Sequence, residues 1–387
     1  MRILQVISSA NPEGGGPIVA IEQLSQVLLN RGHIVEVVCL DDPDALWLNA
    51  FPLKIHALGP GISGYGYSKY FVRWLRQNVG NYDVVIVNGI WQYSSFGVWL
   101  ALRSLRKQNL YTPAYFVFTH GMLDPWFKRT YPLKHLKKWL YWFWAEFQVL
   151  RDAKAVLFTC DEERILARES FWLYKCNEIV VNLGIAAPTV EPQVQRQVFL
   201  EKFPELREKR LLLFLSRIHV KKGCDLLIEA FAKVATTDDS LHLVMAGPDQ
   251  TNWQAQLQLL AKKLGIERKI TWTGMLSGDL KWGAFYASEV MLLPSHQENF
   301  GVAVAEAIAC GVPVLISNKV NIWREIAADG AGLVASDDLN GTVQSLQKWL
   351  AMTPNEQIAM QEKAKQCFTK RFEIHNAAQS LIEVLNN

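Results

Sequence analysis

Hydrophobic positions in the first half of the chain switch repeatedly between continuous apolar runs and helical spacing. The run Ile3 to Ser8 predicts a buried strand, a glycine loop Gly14-Gly15-Gly16-Pro17 follows, and Ile18, Ile21, Leu24 and Leu28 recur at the spacing of a helix from Ile18 to Asn30. A second strand is expected from Ile34 to Leu40, and Asp83 to Val87 and Ala114 to Phe118 read as parallel strands buried on both faces. This is a doubly wound α/β pattern. It restarts after residue 190 with strand Leu211 to Leu215, helix Cys224 to Ala235, strand His242 to Met245, helix Trp253 to Leu264, and strands Ile270 to Thr273 and Val290 to Leu293. Helix Val302 to Ala309 comes next, and the last forty residues read as helices. The expectation is two Rossmann-like domains, 1–188 and 189–371, with the polar stretch Val190 to Val194 in the connection and an amphipathic helix within 372–387 packing back on the first. Two such sheets in tandem would set their carboxyl ends across a central cleft, where ligands of open α/β sheets bind.

Composition adds limits. The 387 residues are half hydrophobic, which is enough for two cores. A net charge of +3 with dispersed bases gives no reason to expect a nucleic-acid partner. The six cysteines form no CxxC pair and have no histidine at zinc spacing, so they read as buried thiols of a reducing compartment. Met1-Arg2 leads directly into a strand and no run of eighteen apolar residues occurs; a cytoplasmic location is expected, with a peripheral place at the inner face of the plasma membrane left open.

Candidate chemistry lies in the loops after strands. Gly14 to Gly16 would let backbone amides approach an anion at a helix start. The third small residue of a dinucleotide fingerprint is absent, since position 19 is Val19, although Asp41 and Asp42 stand where a ribose-binding acid would. Arg217, Lys221 and Lys222-Gly223 precede a helix, a good setting for a diphosphate; a solvated basic turn is the plainer alternative. Glu298 and Glu306 lie eight positions apart. Glycosidase carboxyls stand about 5 to 10 Å apart, whereas eight helical residues rise about 12 Å, so the pair suits two contacts along one elongated ligand. Asp42-Pro43-Asp44 spells a metal-diphosphate signature but reads as an exposed turn.

The combination of Gly14 to Gly16, His120-Gly121, Arg217 with Lys222-Gly223, Gly247-Pro248 and Glu298 through Glu306 resembles the retaining GT-B glycosyltransferases of family 4 (group 1) over nearly the whole chain. The resemblance implies that Glu306 holds the ribose of a nucleotide and that Glu298, Asn299, Phe300 and Gly301 contact the donor sugar. It implies that Arg217 and Lys222 bind the diphosphate together with Gly15, Gly16, Gly247 and the amides of Gly301 and Val302. Met275 and Leu276 fall in the base-binding loop, and His120 lines the sugar pocket. The implied donor is a nucleotide sugar, UDP-linked by expectation, with no metal and no other cofactor. Asn182-Leu183-Gly184-Ile185 and Phe372-Glu373-Ile374 depart from the family pattern at the linker.

The acceptor side is less defined. Residues 126–144 carry Lys128, Arg129, Lys134, Lys137 and Lys138 among many aromatics and no acid. That segment reads either as a face for an anionic membrane, guiding a lipid-linked glycan, or as a helix packed on its own domain, which three adjacent aromatics at Trp142 to Trp144 favour at that end. Lys128, Arg129 and Trp91 are acceptor candidates, Trp91 by stacking on a sugar. The expected activity is transfer of a sugar to a polysaccharide or lipid-linked oligosaccharide. A nucleotide-sugar epimerase of the same fold, a non-catalytic nucleotide-sugar binder and, more remotely, an NAD-dependent oxidoreductase are the rivals.

Overall fold

A computed structural model of the chain describes residues 1–12, 15–130 and 132–387; Gly14 of the glycine loop and Tyr131 of the aromatic segment lie outside them. The chain forms two units, Met1–Ile185 with Ile374–Asn387, and Ala186–Glu373.

In the first unit seven strands run in parallel: β1 Arg2–Ile7, β2 Ile34–Cys39, β3 Lys54–Ala57, β4 Val84–Asn88, β5 Ala114–Phe118, β6 Ala155–Phe158 and β7 Glu178–Val180. Their spatial order is β3-β2-β1-β4-β5-β6-β7, so the sheet grows outward in both directions from β1. β1, β2, β4 and β6 are almost wholly buried, which is why they read as unbroken apolar runs. The helix after β1 starts at Gly16, two residues before the expected Ile18, because Gly15 and Pro17 open it. The last helix, Ile374–Asn386, buries Ile374, Ala378, Leu381 and Leu385 with Leu24, Leu28 and Ile86 on one face of this sheet. Ile374 also donates its amide to the Ile185 carbonyl, 3.1 Å away, tying the two ends of this discontinuous unit together.

In the second unit six parallel strands follow: β8 Arg210–Leu215, β9 Leu241–Ala246, β10 Ile270–Gly274, β11 Val290–Leu293, β12 Val314–Ser317 and β13 Gly332–Ala335, in the order β10-β9-β8-β11-β12-β13. Order reverses between β8 and β11, the switch point at which open α/β sheets bind ligands. β12 and β13 are not anticipated by the sequence reading, nor are β3, β6 and β7; each is only three or four residues long. The stretch Val190 to Val194, expected as connection, is instead partly helical, because Pro192 opens helix Pro192–Lys202.

Candidate functional site

The second unit brings Lys222 and Glu298 together in the loops after β8 and β11, at the switch point. After β8 the chain makes a short turn, Val220–Lys222, in which the His219 ring accepts the Lys221 amide at 3.1 Å. Gly223 then adopts φ 64°, and a Cβ there would stand 2.2 Å from the Pro294 carbonyl. Only glycine lets the turn close this tightly against the end of β11. The Lys221 carbonyl accepts from the His296 amide (2.7 Å) and the Ser295 hydroxyl (2.8 Å), clipping the two loops together. Glu298 is fixed by its own backbone: its amide donates to Lys319 and its carbonyl accepts from Asn321, both at 2.9 Å.

These clips seat the buried Lys222 ammonium directly on the Glu298 carboxylate, across 76 residues of sequence. Two expected site residues therefore meet as an ion pair. Arg217 is exposed, its guanidinium 3.4 Å from the Gln250 side chain. Gly247, at the end of β9, has φ 145° and lies so close to Ser216 that a Cβ would fall 1.8 Å from its carbonyl oxygen. Gly301, at φ 73°, caps helix Val302–Ala309, whose first amides have no acceptor inside the helix. Cationic side chains and a helix N-terminus near the paired carboxylate make a setting for a diphosphate.

Glu306 sits within that helix, and its carboxylate receives the Lys281 ammonium at 2.6 Å. Burial raises its pKa and Lys281 opposes the rise. The helical-rise estimate between the two glutamates fails as geometry, because Glu298 is in the loop before the helix. Its conclusion has a better basis: each carboxylate is matched by its own lysine, which suits recognition rather than proton transfer between them. Lys281 was missed by sequence reading; its one signal is its place in the first turns of helix Gly278–Ala287, just past the expected base loop. In that loop Met275 is 74% exposed while Leu276 is buried. Asn299 accepts from Asn321 at 3.3 Å. Phe300 points into the interior against Phe372, ring centroids 5.6 Å apart, so only its backbone is available to a ligand.

The first unit has a different chemistry. His120 follows β5 with φ 48°, its Nε2 3.1 Å from the Asn88 side-chain oxygen and its ring stacked on Phe118. Burial pushes its pKa down to about 4, against a smaller opposing pull from Glu163, so the imidazole is neutral at pH 7. The buried Glu163 braces this corner by accepting the Gly121 amide and the Thr119 hydroxyl, and the Thr159 amide and hydroxyl. Trp91 takes φ 74°, held by hydrogen bonds from its backbone amide to the Glu146 carboxylate (2.9 Å) and from its indole N–H to the Met122 carbonyl (3.1 Å). Lys138 lies over its ring, 4.7 Å from the centroid. Gly15 and Gly16 are exposed at the start of the first helix. Lys128 and Arg129 are exposed too, Arg129 within 3.7 Å of Glu169.

Asp41, the candidate ribose acid of a dinucleotide site, is engaged by the Ser9 hydroxyl and the Ala10 amide, each at 2.6 Å. Asp42 folds back on the Asp44 amide in an exposed turn. Among the described residues no cluster of three or more metal-ligating side chains occurs, and no helix is long and apolar enough to cross a membrane. No disulfide joins the cysteines, and all but Cys176 are buried.

Two Rossmann-like parallel sheets in one chain are the architecture of the GT-B fold. Comparison with known proteins agrees: residues 15–181 match the glycosyl transferase 4-like domain and residues 195–367 the glycosyl transferases group 1 family. The chain is thus built from the two domain types of these glycosyltransferases. It is 32% identical to a D-inositol 3-phosphate glycosyltransferase of Geodermatophilus obscurus over 48% of this chain and 42% of that one. It is 24% identical to the GDP-mannose:cellobiosyl-diphosphopolyprenol alpha-mannosyltransferase of Xanthomonas campestris over 96% of this chain and 93% of that one. Several partial relatives are spanned over only 30–42% of their length. Among solved structures, Anabaena HepE in complex with UDP superposes with a TM-score of 0.79 at 16% identity, covering 100% of both chains.

Proposed function

We propose that the protein is a retaining glycosyltransferase that moves a sugar from a nucleotide-diphospho-sugar, by preference a UDP-sugar, to a polysaccharide or lipid-linked oligosaccharide. The observation that carries this reading is the Lys222–Glu298 pair at the start of helix Val302–Ala309, with Arg217 exposed in the same loop five residues before Lys222. A nucleoside diphosphate leaving an anomeric carbon gains negative charge. Cations and amides already in place stabilise that charge without reorganisation.

In this scheme Arg217 and Lys222 bind the diphosphate with Gly247, Gly301 and Val302, Glu306 takes the ribose hydroxyls, and Met275 and Leu276 offer backbone groups to the base. Glu298 and the Asn299–Gly301 backbone hold the donor sugar. Neutral His120 serves the same sugar as a hydrogen-bonding partner, and Gly15 and Gly16 approach the phosphates. The bond from the anomeric carbon to the diphosphate oxygen breaks, with its electron pair going to the phosphate. The acceptor oxygen bonds to the same face of that carbon, and its proton passes to the departing phosphate. Trp91, Lys128 and Arg129 serve the acceptor. Arg217 and Lys222 provide the positive charge, so the reaction runs without a metal ion.

The UDP bound in the HepE structure supports a UDP donor and the diphosphopolyprenol acceptor in the name of the Xanthomonas relative supports a lipid-linked acceptor, while that same name gives GDP-mannose as the donor. The test is a transfer assay over UDP- and GDP-sugars with polyprenyl-diphosphate glycans and free glycans as acceptors, in the presence of EDTA. The reading expects acceptor-dependent release of the nucleoside diphosphate and retention of anomeric configuration by NMR. Release without any transfer, an inverted product or loss of turnover with EDTA each removes the corresponding part.

A further inference from the structure

Helix Pro132–Tyr141 and the π-helical turn Trp142–Glu146 that extends it turn the usual amphipathic arrangement inside out. A helix on a protein surface normally buries its apolar stripe. Here Leu133, Leu136, Leu140 and Phe143, spaced at i, i+3, i+7 and i+10, are 80%, 59%, 62% and 61% exposed. The inward side carries polar groups and rings. Lys138 packs over Trp91 and Phe127, the Tyr141 hydroxyl bonds that of Tyr65 at 2.6 Å, and His135 stacks on Phe171. The π turn accommodates three adjacent aromatics by splitting them, with Trp142 buried and Phe143 and Trp144 outward. The packing expected at that end therefore holds for Trp142 and in part for Trp144, whose half-exposed ring meets Phe96 and Tyr141 edge-on.

We propose that this outward stripe inserts into the surface of an anionic lipid bilayer. Charge complementarity selects that occupant over a second copy of the chain or an apolar protein groove. Lys128, Arg129, Lys134 and Lys137 are exposed around the stripe, and residues 126–145 contain no acid. An interfacial helix combines such a basic flank with an apolar face that sinks into the headgroup boundary. The inward contacts hold the helix in shape beforehand, so binding needs no folding step. Its inner face covers Trp91, which places the bilayer next to the acceptor residues assigned above.

Flotation of the full chain with vesicles tests this independently of any transfer assay. Vesicles of equal parts phosphatidylcholine and phosphatidylglycerol should carry the protein, and vesicles of phosphatidylcholine alone should carry far less. The combined substitution Leu136→Gln, Leu140→Gln and Phe143→Ser changes only exposed side chains and should leave the circular dichroism melt intact while lowering partition on the order of 100-fold. Lys134→Ala with Lys137→Ala should lower it roughly 30-fold and weaken its salt dependence. Absence of binding to anionic vesicles, or binding that the apolar triple substitution leaves unchanged, overturns the proposal. A dimer in sedimentation that the same substitution dissociates, without flotation, overturns it in favour of a second copy.

Discussion

The carboxylates at the candidate site of the second unit and those behind Trp91 and His120 in the first are held in opposite ways. In the second, Glu298 and Glu306 each face a lysine, Lys222 and Lys281, with Arg217 exposed five residues before Lys222. In the first, Glu146 and Glu163 are buried on amides and hydroxyls, with no lysine or arginine nitrogen bonded to either among the described residues. Lysines already seated on carboxylates keep their positive charge in place for an incoming anion, whereas amide-bound carboxylates fix backbone. The Lys222–Glu298 region is therefore charged for a ligand, and the corner that holds Trp91 and His120 is braced. Trp91 and His120, both at left-handed φ, are what Glu146 and Glu163 brace.

The sharpest break in this comparison comes from Lys222→Ala. It should cut turnover by about 100- to 1,000-fold, the scale for loss of one preorganised charge. It also leaves Glu298 without its cation, so a fall in Tm is expected; steady-state kinetics and a thermal melt read both effects.

Next comes Glu146, whose pKa burial pushes up to about 7. A carboxyl with a raised folded pKa holds its proton longer in the native state than in the unfolded one. Stability should then fall as pH rises from about 4.5 to about 7 and level off above. Glu146→Gln keeps an oxygen for Trp91 and Ser95 but removes the ionisation. Denaturant titrations should show it close to wild type at pH 4.5 and more stable by roughly 3 kcal/mol at pH 8. An equal difference at both values would mean that Glu146 is not a neutral brace.

A smaller effect is expected from Lys281→Met. Loss of the pairing should raise KM for the donor about tenfold with kcat nearly kept, because Glu306 recognises the ground state and the transition state alike. A fall in kcat alone would move Lys281 into the chemistry. The smallest effect is one of absence. With its pKa near 4, His120 stays neutral through pH 5 to 8, so the rate should show no limb near 6.5 and should fall only as pH approaches 4.

The glycine positions, strand runs and charged loops made the fold and the donor half of the site readable from sequence. Continuous apolar strands such as Val290–Leu293 and the turn at Lys222-Gly223 are local signals. The partners were not local. Lys222 meets Glu298 across 76 residues and Glu163 reaches Thr119 across 44, and neither spacing has a periodicity to betray it. β13 escaped because Gly332–Ala335 is a half-buried edge strand with only two large apolar residues, whereas β12 was passed over although its Val-Leu-Ile run is as buried as that of Val290–Leu293. Glu298 and Glu306 were measured along a helix that only Glu306 occupies, although the bounds expected for that helix, Val302 to Ala309, are those found. At Trp142 to Trp144 the composition left two readings open, and the π turn admits a part of each.

Calorimetric titration with UDP and GDP tests the central claim most directly: that the second unit's paired lysine and exposed arginine form a nucleoside-diphosphate site. Wild-type protein should bind one of the two, with Lys222→Ala and Arg217→Ala each weakening it at least tenfold and Lys128→Ala leaving it unchanged. Equal affinity across all four proteins, or no binding of either nucleotide by a folded wild type, would contradict the account.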